Sequence, residues 1–118
     1  GKDRPVLFFI LFYFLVVILL SRSKRKESGF QDGLRKDLEE LLPGCMIFKM
    51  DQQQGIPDLL ILYKDKWLSL ECKQSKDANH QPNQDYYVDE MNRMSFSRFI
   101  YPENKGEILN EIRRSFKT

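Results

Sequence analysis

The chain has 118 residues, which is the length of one domain, and its 19 basic and 17 acidic residues leave a net charge of +2. This near-balance excludes a protein that coats nucleic acid by charge alone, and a content of 42% hydrophobic and 13% aromatic residues excludes a disordered polyanion. The two cysteines, Cys45 and Cys72, and the single histidine, His80, exclude a disulfide scaffold, a structural zinc site and a histidine-based catalytic triad.

The N-terminal segment, residues 1–21, contains the unbroken apolar run Val6 to Leu20. A membrane-spanning helix usually needs about 20 apolar residues, and this run is nearer the length of the apolar part of a signal peptide. The basic cluster that follows between residues 22 and 26 favours a cytoplasmic side for the rest of the chain. A membrane anchor, a signal-like segment and a non-native extension all stay open as interpretations, and we place the folded domain at residues 22–118.

The first half of this domain predicts one helix and three strands. Apolar residues recur at three- and four-residue steps from Phe30 to Leu42, which predicts a helix from about residue 27 that Pro43-Gly44 ends. Residues 45–48 predict a short strand, and the nearly continuous apolar segment 58–63 predicts a second strand that is buried on both faces. Residues 67–73 alternate in polarity, so they predict a third strand that forms a hairpin with the second.

The second half predicts a helix, a strand and a final helix. The helix covers residues 83–94, with Tyr87, Met91 and Met94 on its apolar side, and a strand follows at residues 96–101. A C-terminal helix is expected over residues 104–116, because its apolar residues recur at helical spacing. The predicted element order is therefore α-β-β-β-α-β-α.

Two carboxylates are expected to meet at one end of the predicted hairpin. Asp58 begins its first strand and Glu71 lies near the end of its second, so antiparallel pairing brings them to the same edge. Two adjacent carboxylates repel each other, and a divalent cation that prefers oxygen ligands, such as Mg²⁺ or Mn²⁺, relieves this repulsion. Lys73 shares the strand face of Glu71 and could stabilise negative charge that develops beside such a metal.

The residues Gly55-Ile56-Pro57-Asp58 and Glu71-Cys72-Lys73 resemble the signature of the PD-(D/E)XK nuclease superfamily. With a glutamate in the first helix, Glu27, and a downstream glutamine, Gln84, the chain is similar to phage and bacterial endonucleases of the VRR-NUC type, which are related to Holliday-junction resolvases. The resemblance covers residues 27 to about 102. It implies an α/β fold with a restriction-endonuclease-like core in the order α-β-β-β-α-β, a mixed central sheet and a C-terminal helix.

The resemblance also implies a metal-dependent DNA endonuclease that could be specific for branched DNA. Asp58, Glu71 and the backbone carbonyl of Cys72 would hold one or two Mg²⁺ or Mn²⁺ ions, and Glu27 would support the second metal. Lys73 would orient the attacking water or neutralise the phosphate, and Gln84 would position Lys73 or the phosphate. The expected partner is DNA, the expected assembly is a homodimer, and the expected location is the cytoplasm of a bacterial or phage-infected cell, with a membrane contact through residues 6–20 left open.

Several alternatives stay open at this point. Asp58 could be a surface residue, Glu71 and Lys73 could form a salt bridge on a solvent-facing strand, and Glu27 and Gln84 could be solvated residues at helix starts. The Cys72 thiol is expected in the core and not as a nucleophile. The domain could also be a non-catalytic module that binds nucleic acid or a partner, or a secreted nuclease. Candidate contacts to a DNA backbone are the basic residues Lys49, Lys64, Lys66, Lys76 and Arg98.

Overall fold

The computed structural model describes residues 4–51 and 53–117; for residues 4–8 and 18–28 it describes the course of the helix and not the side chains. Three helices and four strands follow one another within this part of the chain. Their order, α-β-β-β-α-β-α, is the one that the sequence predicts.

The first helix, α1, runs without interruption from Arg4 to Leu41, a length of 38 residues. It therefore continues through the boundary that the sequence analysis sets after residue 21. Large apolar side chains from Phe9 to Val17 are 37–71% exposed, whereas Leu34 and Leu38 near the other end of the helix are fully buried. Gly44, with a φ of 87°, adopts the left-handed conformation that commonly follows the end of a helix.

No helix in the described ranges has a stretch that is both long and apolar enough to cross a membrane.

A mixed sheet of four strands forms the centre of the fold. The strands are β1 (Met46–Lys49), β2 (Leu59–Tyr63), β3 (Lys66–Cys72) and β4 (Phe96–Ile100), and they lie in the order β1-β2-β3-β4. The first two pairings are antiparallel, and β3 pairs with β4 in parallel. Parallel neighbours need a crossover connection, which helix α2 (Gln84–Met94) supplies between β3 and β4.

The two faces of the sheet differ in chemistry. On one face, helix α1 and the C-terminal helix α3 (Lys105–Phe116) cover an apolar core. The other face of β3 and β4 lies under α2, and here the Ser69 hydroxyl donates to the Ser97 hydroxyl at 2.7 Å and contacts the sulfur of Met91. The fully buried core side chains are Leu34, Leu38, Leu42, Leu59, Ile61, Leu68, Leu70, Ile100 and Ile112.

Burial corrects two sequence-based expectations and excludes one alternative. The second strand is not buried on both faces, because α2 lies over β3 and β4, and Leu62 of β2 is 38% exposed. The third strand is buried on both faces from Leu68 to Cys72, which excludes the alternative that Glu71 and Lys73 lie on a solvent-facing strand. Met94 does not point inward from α2 but is 73% exposed, because the helix turns its Gln84 and Val88 side toward the sheet.

The separation between the exposed and buried parts of α1 leads to a stability prediction. Deleting residues 1–21 is expected to change the melting temperature little, because the described side chains of this segment lie outside the core. By contrast, Leu38→Ala in the same helix is expected to lower the free energy of unfolding by about 2–5 kcal/mol, since it opens a cavity in the core. Thermal and urea unfolding of the three proteins in one detergent-containing buffer measure both effects. A loss of stability on deletion as large as that of Leu38→Ala would contradict the domain boundary.

Candidate active site

Hairpin register brings Asp58 and Glu71 together. Leu59 pairs with Leu70, so the next step along the antiparallel ladder sets Asp58 opposite Glu71. Each carboxylate then accepts a hydrogen bond from the other strand: the Asp58 N–H donates to Glu71 Oε2 at 3.1 Å, and the Cys72 N–H donates to Asp58 Oδ2 at 3.0 Å. At this end of the sheet, hydrogen bonds from backbone N–H groups to the two carboxyl groups take the place of backbone–backbone hydrogen bonds. These bonds hold both side chains in position.

The loop before β2 fixes the position of Asp58 relative to helix α2. Gly55 has a φ of 94°, and a Cβ added to it would lie 2.8 Å from the Cβ of Asn83 and 3.2 Å from the carbonyl oxygen of Pro82. Only glycine fits both this conformation and this close approach. Because Asn83 immediately precedes Gln84, Gly55 docks the loop that carries Asp58 against the start of α2.

A chain of hydrogen bonds links Glu71 to Lys73 through Gln84. The Gln84 Nε2 donates to Glu71 Oε1 at 2.8 Å, and the Lys73 Nζ donates to Gln84 Oε1 at 2.5 Å. Glu71 is only 3% exposed and Lys73 only 8% exposed, so this pair is not the solvent-facing salt bridge that the sequence left open. The amide of Gln84 bonds the carboxyl group of Glu71 and the amino group of Lys73 at the same time, which fixes the orientation of both.

The loop between β3 and α2 closes one side of the site with its main chain. The Asn79 carbonyl oxygen accepts from Lys73 Nζ at 3.1 Å, and the Gln81 N–H donates to Gln84 Oε1 at 2.8 Å. These residues and the carboxylates line a cavity of about 310 Å³. Sequence reasoning missed both contacts, since a bond made by the backbone leaves no signal in the identity of the side chain.

The environment of Glu71 raises its pKa. Burial raises the pKa from its ordinary 4.5 to about 8, with the nearby charge of Asp58 as the next largest cause, while the positive charge of Lys73 acts in the opposite direction. A hydrogen bond between the two carboxyl groups also favours the protonated form. Without a bound cation, the ionised pair is therefore costly, and Glu71 holds a proton at neutral pH.

The donor set of this cavity fits a hard divalent cation. Two carboxyl groups face each other there, and the backbone of Cys72 lines the same wall while its side chain lies in the core on the opposite face. A cation such as Mg²⁺ would displace the proton of Glu71 and offset the repulsion from Asp58. Within the described residues, no cluster of three or more His, Cys, Asp or Glu side chains could hold a metal. Glu27 lies in α1, but its side chain falls outside the described part of the chain.

The basic residues suggested as DNA contacts are spread over the molecule. Lys64 and Lys66 lie at the turn between β2 and β3, at the opposite end of these strands from Asp58 and Glu71. Lys49 lies at the site end of the sheet, because it pairs with Leu59. Lys76 is exposed in the loop after β3. Arg98 instead forms a salt bridge with Glu111 of α3 at 3.0 Å.

His80 lies in a polar loop, but its side chain makes two specific contacts. Its ring stacks on Phe99 with centroids 4.2 Å apart, and its Nδ1 lies 2.9 Å from Asp85 Oδ1. The residues on either side of it, Asn79 and Gln81, are those that bond Lys73 and Gln84. The stack therefore anchors the loop that closes the cavity.

Comparison with known proteins identifies the fold. No protein-family model and no curated protein matches the chain. A solved structure described as a VRR_NUC domain is similar to it, with a TM-score of 0.58 and 18% sequence identity over 77% of this chain and 97% of that one. The chain thus has a VRR-NUC-type fold, and the restriction-endonuclease-like core that the motifs imply is confirmed.

The raised pKa of Glu71 leads to a prediction about stability and pH. Between pH 4.5 and about 8, the folded protein keeps a proton that the unfolded chain loses, so the free energy of unfolding should fall as pH rises. The slope from one such group is at most about 1.4 kcal/mol per pH unit. Urea unfolding of metal-free protein across this range should show the decline, and Glu71→Gln should reduce it. Equal slopes for the two proteins would contradict the assignment.

Proposed function

We propose that the chain is a metal-dependent DNA endonuclease that hydrolyses phosphodiester bonds in the cavity lined by Asp58, Glu71, Lys73 and Gln84. The observation that carries the proposal is the hydrogen-bonded chain from the carboxyl pair through Gln84 to a buried lysine. These hydrogen-bonded residues line a cavity at the C-terminal end of β3, within a fold similar to a VRR_NUC domain. A buried carboxyl group and lysine that served stability alone would not need to line a cavity.

Lys73 is the group best suited to act on the phosphate. Gln84 Oε1 and the Asn79 carbonyl oxygen accept two of the three N–H bonds of its ammonium, and the third can be donated to a phosphate oxygen. Both acceptors are neutral oxygens, so neither compensates the charge of the ammonium, which can act on the negative charge that develops during attack by water. Gln84 acts as a positioning residue, because it touches Lys73 and Glu71.

Asp58, Glu71 and the Cys72 backbone would hold the cation. A bound Mg²⁺ would polarise the phosphodiester and increase the acidity of the attacking water. Asp58 is fixed for this role by the Cys72 N–H, and Glu71 by the Asp58 N–H and the Gln84 amide. Glu27 is proposed to support a second cation.

The size and charge of the chain bear on its assembly. A chain with a net charge of +2 neutralises few phosphates. We therefore propose that two copies act together or that the substrate is branched DNA, whose shape would add contacts to this weak electrostatic attraction. We also propose a cytoplasmic location, with the exposed apolar residues of α1 between Phe9 and Val17 as the part that could contact a membrane.

The carboxyl pair gives the most direct test of this proposal. Asp58→Asn and Glu71→Gln should each abolish Mg²⁺-dependent cleavage on a panel of linear, nicked, flap and four-way-junction DNAs, because each removes a ligand charge at nearly constant volume. The matched control is Asp65→Asn, which makes the same change at an exposed position in the turn of the same hairpin and should cleave normally. Wild-type cleavage by both site variants would refute the nuclease proposal.

Lys73 provides a second test that separates chemistry from binding. Lys73→Ala should lower the cleavage rate by roughly 30- to 1,000-fold, as expected for the loss of about 2–4 kcal/mol of transition-state stabilisation, with a much smaller loss of DNA affinity. Lys73→Met preserves the buried stem, so it keeps the measurement valid if the alanine variant is unstable. Lys36→Ala, which removes an exposed lysine of α1, serves as the control and should change neither rate nor affinity. Equal losses of rate and affinity would contradict this prediction and would show that Lys73 contributes only to binding of the phosphate.

A further inference from the structure

We propose that a second cavity beside the candidate active site binds one unpaired nucleobase of the substrate strand. This cavity has a volume of about 370 Å³ and is lined by Phe30, Gln74, Ser75 and Pro102. We call it the base subsite. It deepens the nuclease proposal and rests on it, because it specifies DNA with an unpaired nucleotide next to the bond that is cut.

The base subsite adjoins the cavity of the carboxyl pair. Gln74 lines both cavities, and Lys73, the residue before it, lines the first. The Lys73 N–H donates to the Ile100 carbonyl oxygen at 2.8 Å, so the chain reaches Pro102 only two residues beyond the last contact of the parallel strands. Both cavities therefore open at the carboxyl ends of β3 and β4, and a strand whose phosphate occupies the first can reach the second with its base.

The chemistry of the base subsite favours a base over a phosphate. Among the residues whose side chains the structure describes, the four that line it carry no charge, whereas a phosphate site needs cations or several converging N–H groups. Phe30 and Pro102 supply ring surfaces, and Gln74 and Ser75 supply a side-chain amide and a hydroxyl. An aromatic ring with nearby hydrogen-bonding groups is the combination that binds unstacked bases. Its volume also lies at the lower end of the range for small-molecule sites, about 300–1,000 Å³.

The Phe30 ring is held in place by the residues that pack against it. It packs against the apolar core of the domain, and the Lys105 ammonium lies 5.8 Å from the centre of its ring. Lys105 is paired with Asp37 at 2.6 Å, so its charge is compensated and does not make the base subsite cationic. A ring fixed on one side and facing a cavity loses little freedom when a base stacks on it, which favours binding.

The test uses short single-stranded DNA that carries 2-aminopurine, a base analogue whose fluorescence falls when it stacks, at each position in turn. Full-length, metal-free protein should quench one position most strongly. Phe30→Tyr, which keeps the ring, should preserve this quenching and the affinity. Phe30→Leu, which keeps the apolar bulk, should weaken binding by about 5- to 150-fold, the range that corresponds to the loss of one stacked base. The same variant should cause no such loss when the DNA is abasic at that position.

Two results would overturn the inference: no quenching at any position, or equal losses for intact and abasic DNA, which would make Phe30 a purely structural residue. Because the fluorescence measurement requires no cleavage, the two proposals can fail separately. A chain that cleaves DNA without quenching would refute the base subsite alone. A chain that quenches through Phe30 but cleaves none of the DNA panel would support the subsite and refute the nuclease activity.

Discussion

The burial of Glu71 beside Asp58 is the constraint on which the rest of the site depends. A carboxylate that is 3% exposed and faces a second carboxylate is unstable unless protons, cations or N–H donors compensate it. The fold supplies that compensation from three separate segments: the Asp58 backbone, the Gln84 amide of α2 and the ammonium of Lys73. Hairpin register creates this conflict, and donors from the hairpin itself and from Gln84 of α2 offset part of it.

The mixed topology of the sheet explains why this compensation is possible. β3 is an inner strand, with antiparallel β2 on one side and parallel β4 on the other, and the parallel connection carries α2 across the polar face. Ser69, Ser97 and Glu71 all lie on this face, so α2 meets hydroxyl and carboxyl groups where an ordinary core would be apolar. Helix α2 consequently contributes Gln84 to the site as part of its packing, and the close approach of Gly55 to Asn83 ties the same helix to the loop before Asp58.

Much of this arrangement could be predicted from the sequence because it follows from periodicity. The spacing from Asp58 to Glu71 matches two short strands and a turn, and the observed register brings these residues opposite each other. Other features depend on tertiary packing that periodicity does not encode. The sequence does not indicate that α2 covers β3 and β4. The prediction of a second strand buried on both faces is therefore wrong at Leu62, and Met94 is exposed although it shares a helical side with Tyr87 and Met91. The bonds from Asn79 and Gln81 are made by the main chain, which any residue could supply. The predicted boundary after residue 21 follows the change from apolar to charged residues, but no helix-breaking residue lies there, and α1 continues through it.

The two cavities at the C-terminal ends of β3 and β4 differ in the charge of the residues that line them. On one side of Gln74, the titratable groups Asp58, Glu71 and Lys73 line a cavity that suits a phosphate and a cation. On its other side, the described lining residues, which include Phe30 and Pro102, are uncharged and form a cavity that suits a neutral, flat group. A nucleotide has the same division between its anionic phosphate and its apolar base. Since strand register fixes the first cavity and the packing of α1 fixes the second, the two can be matched to one nucleotide only while α1 stays docked on the sheet through Leu34 and Leu38.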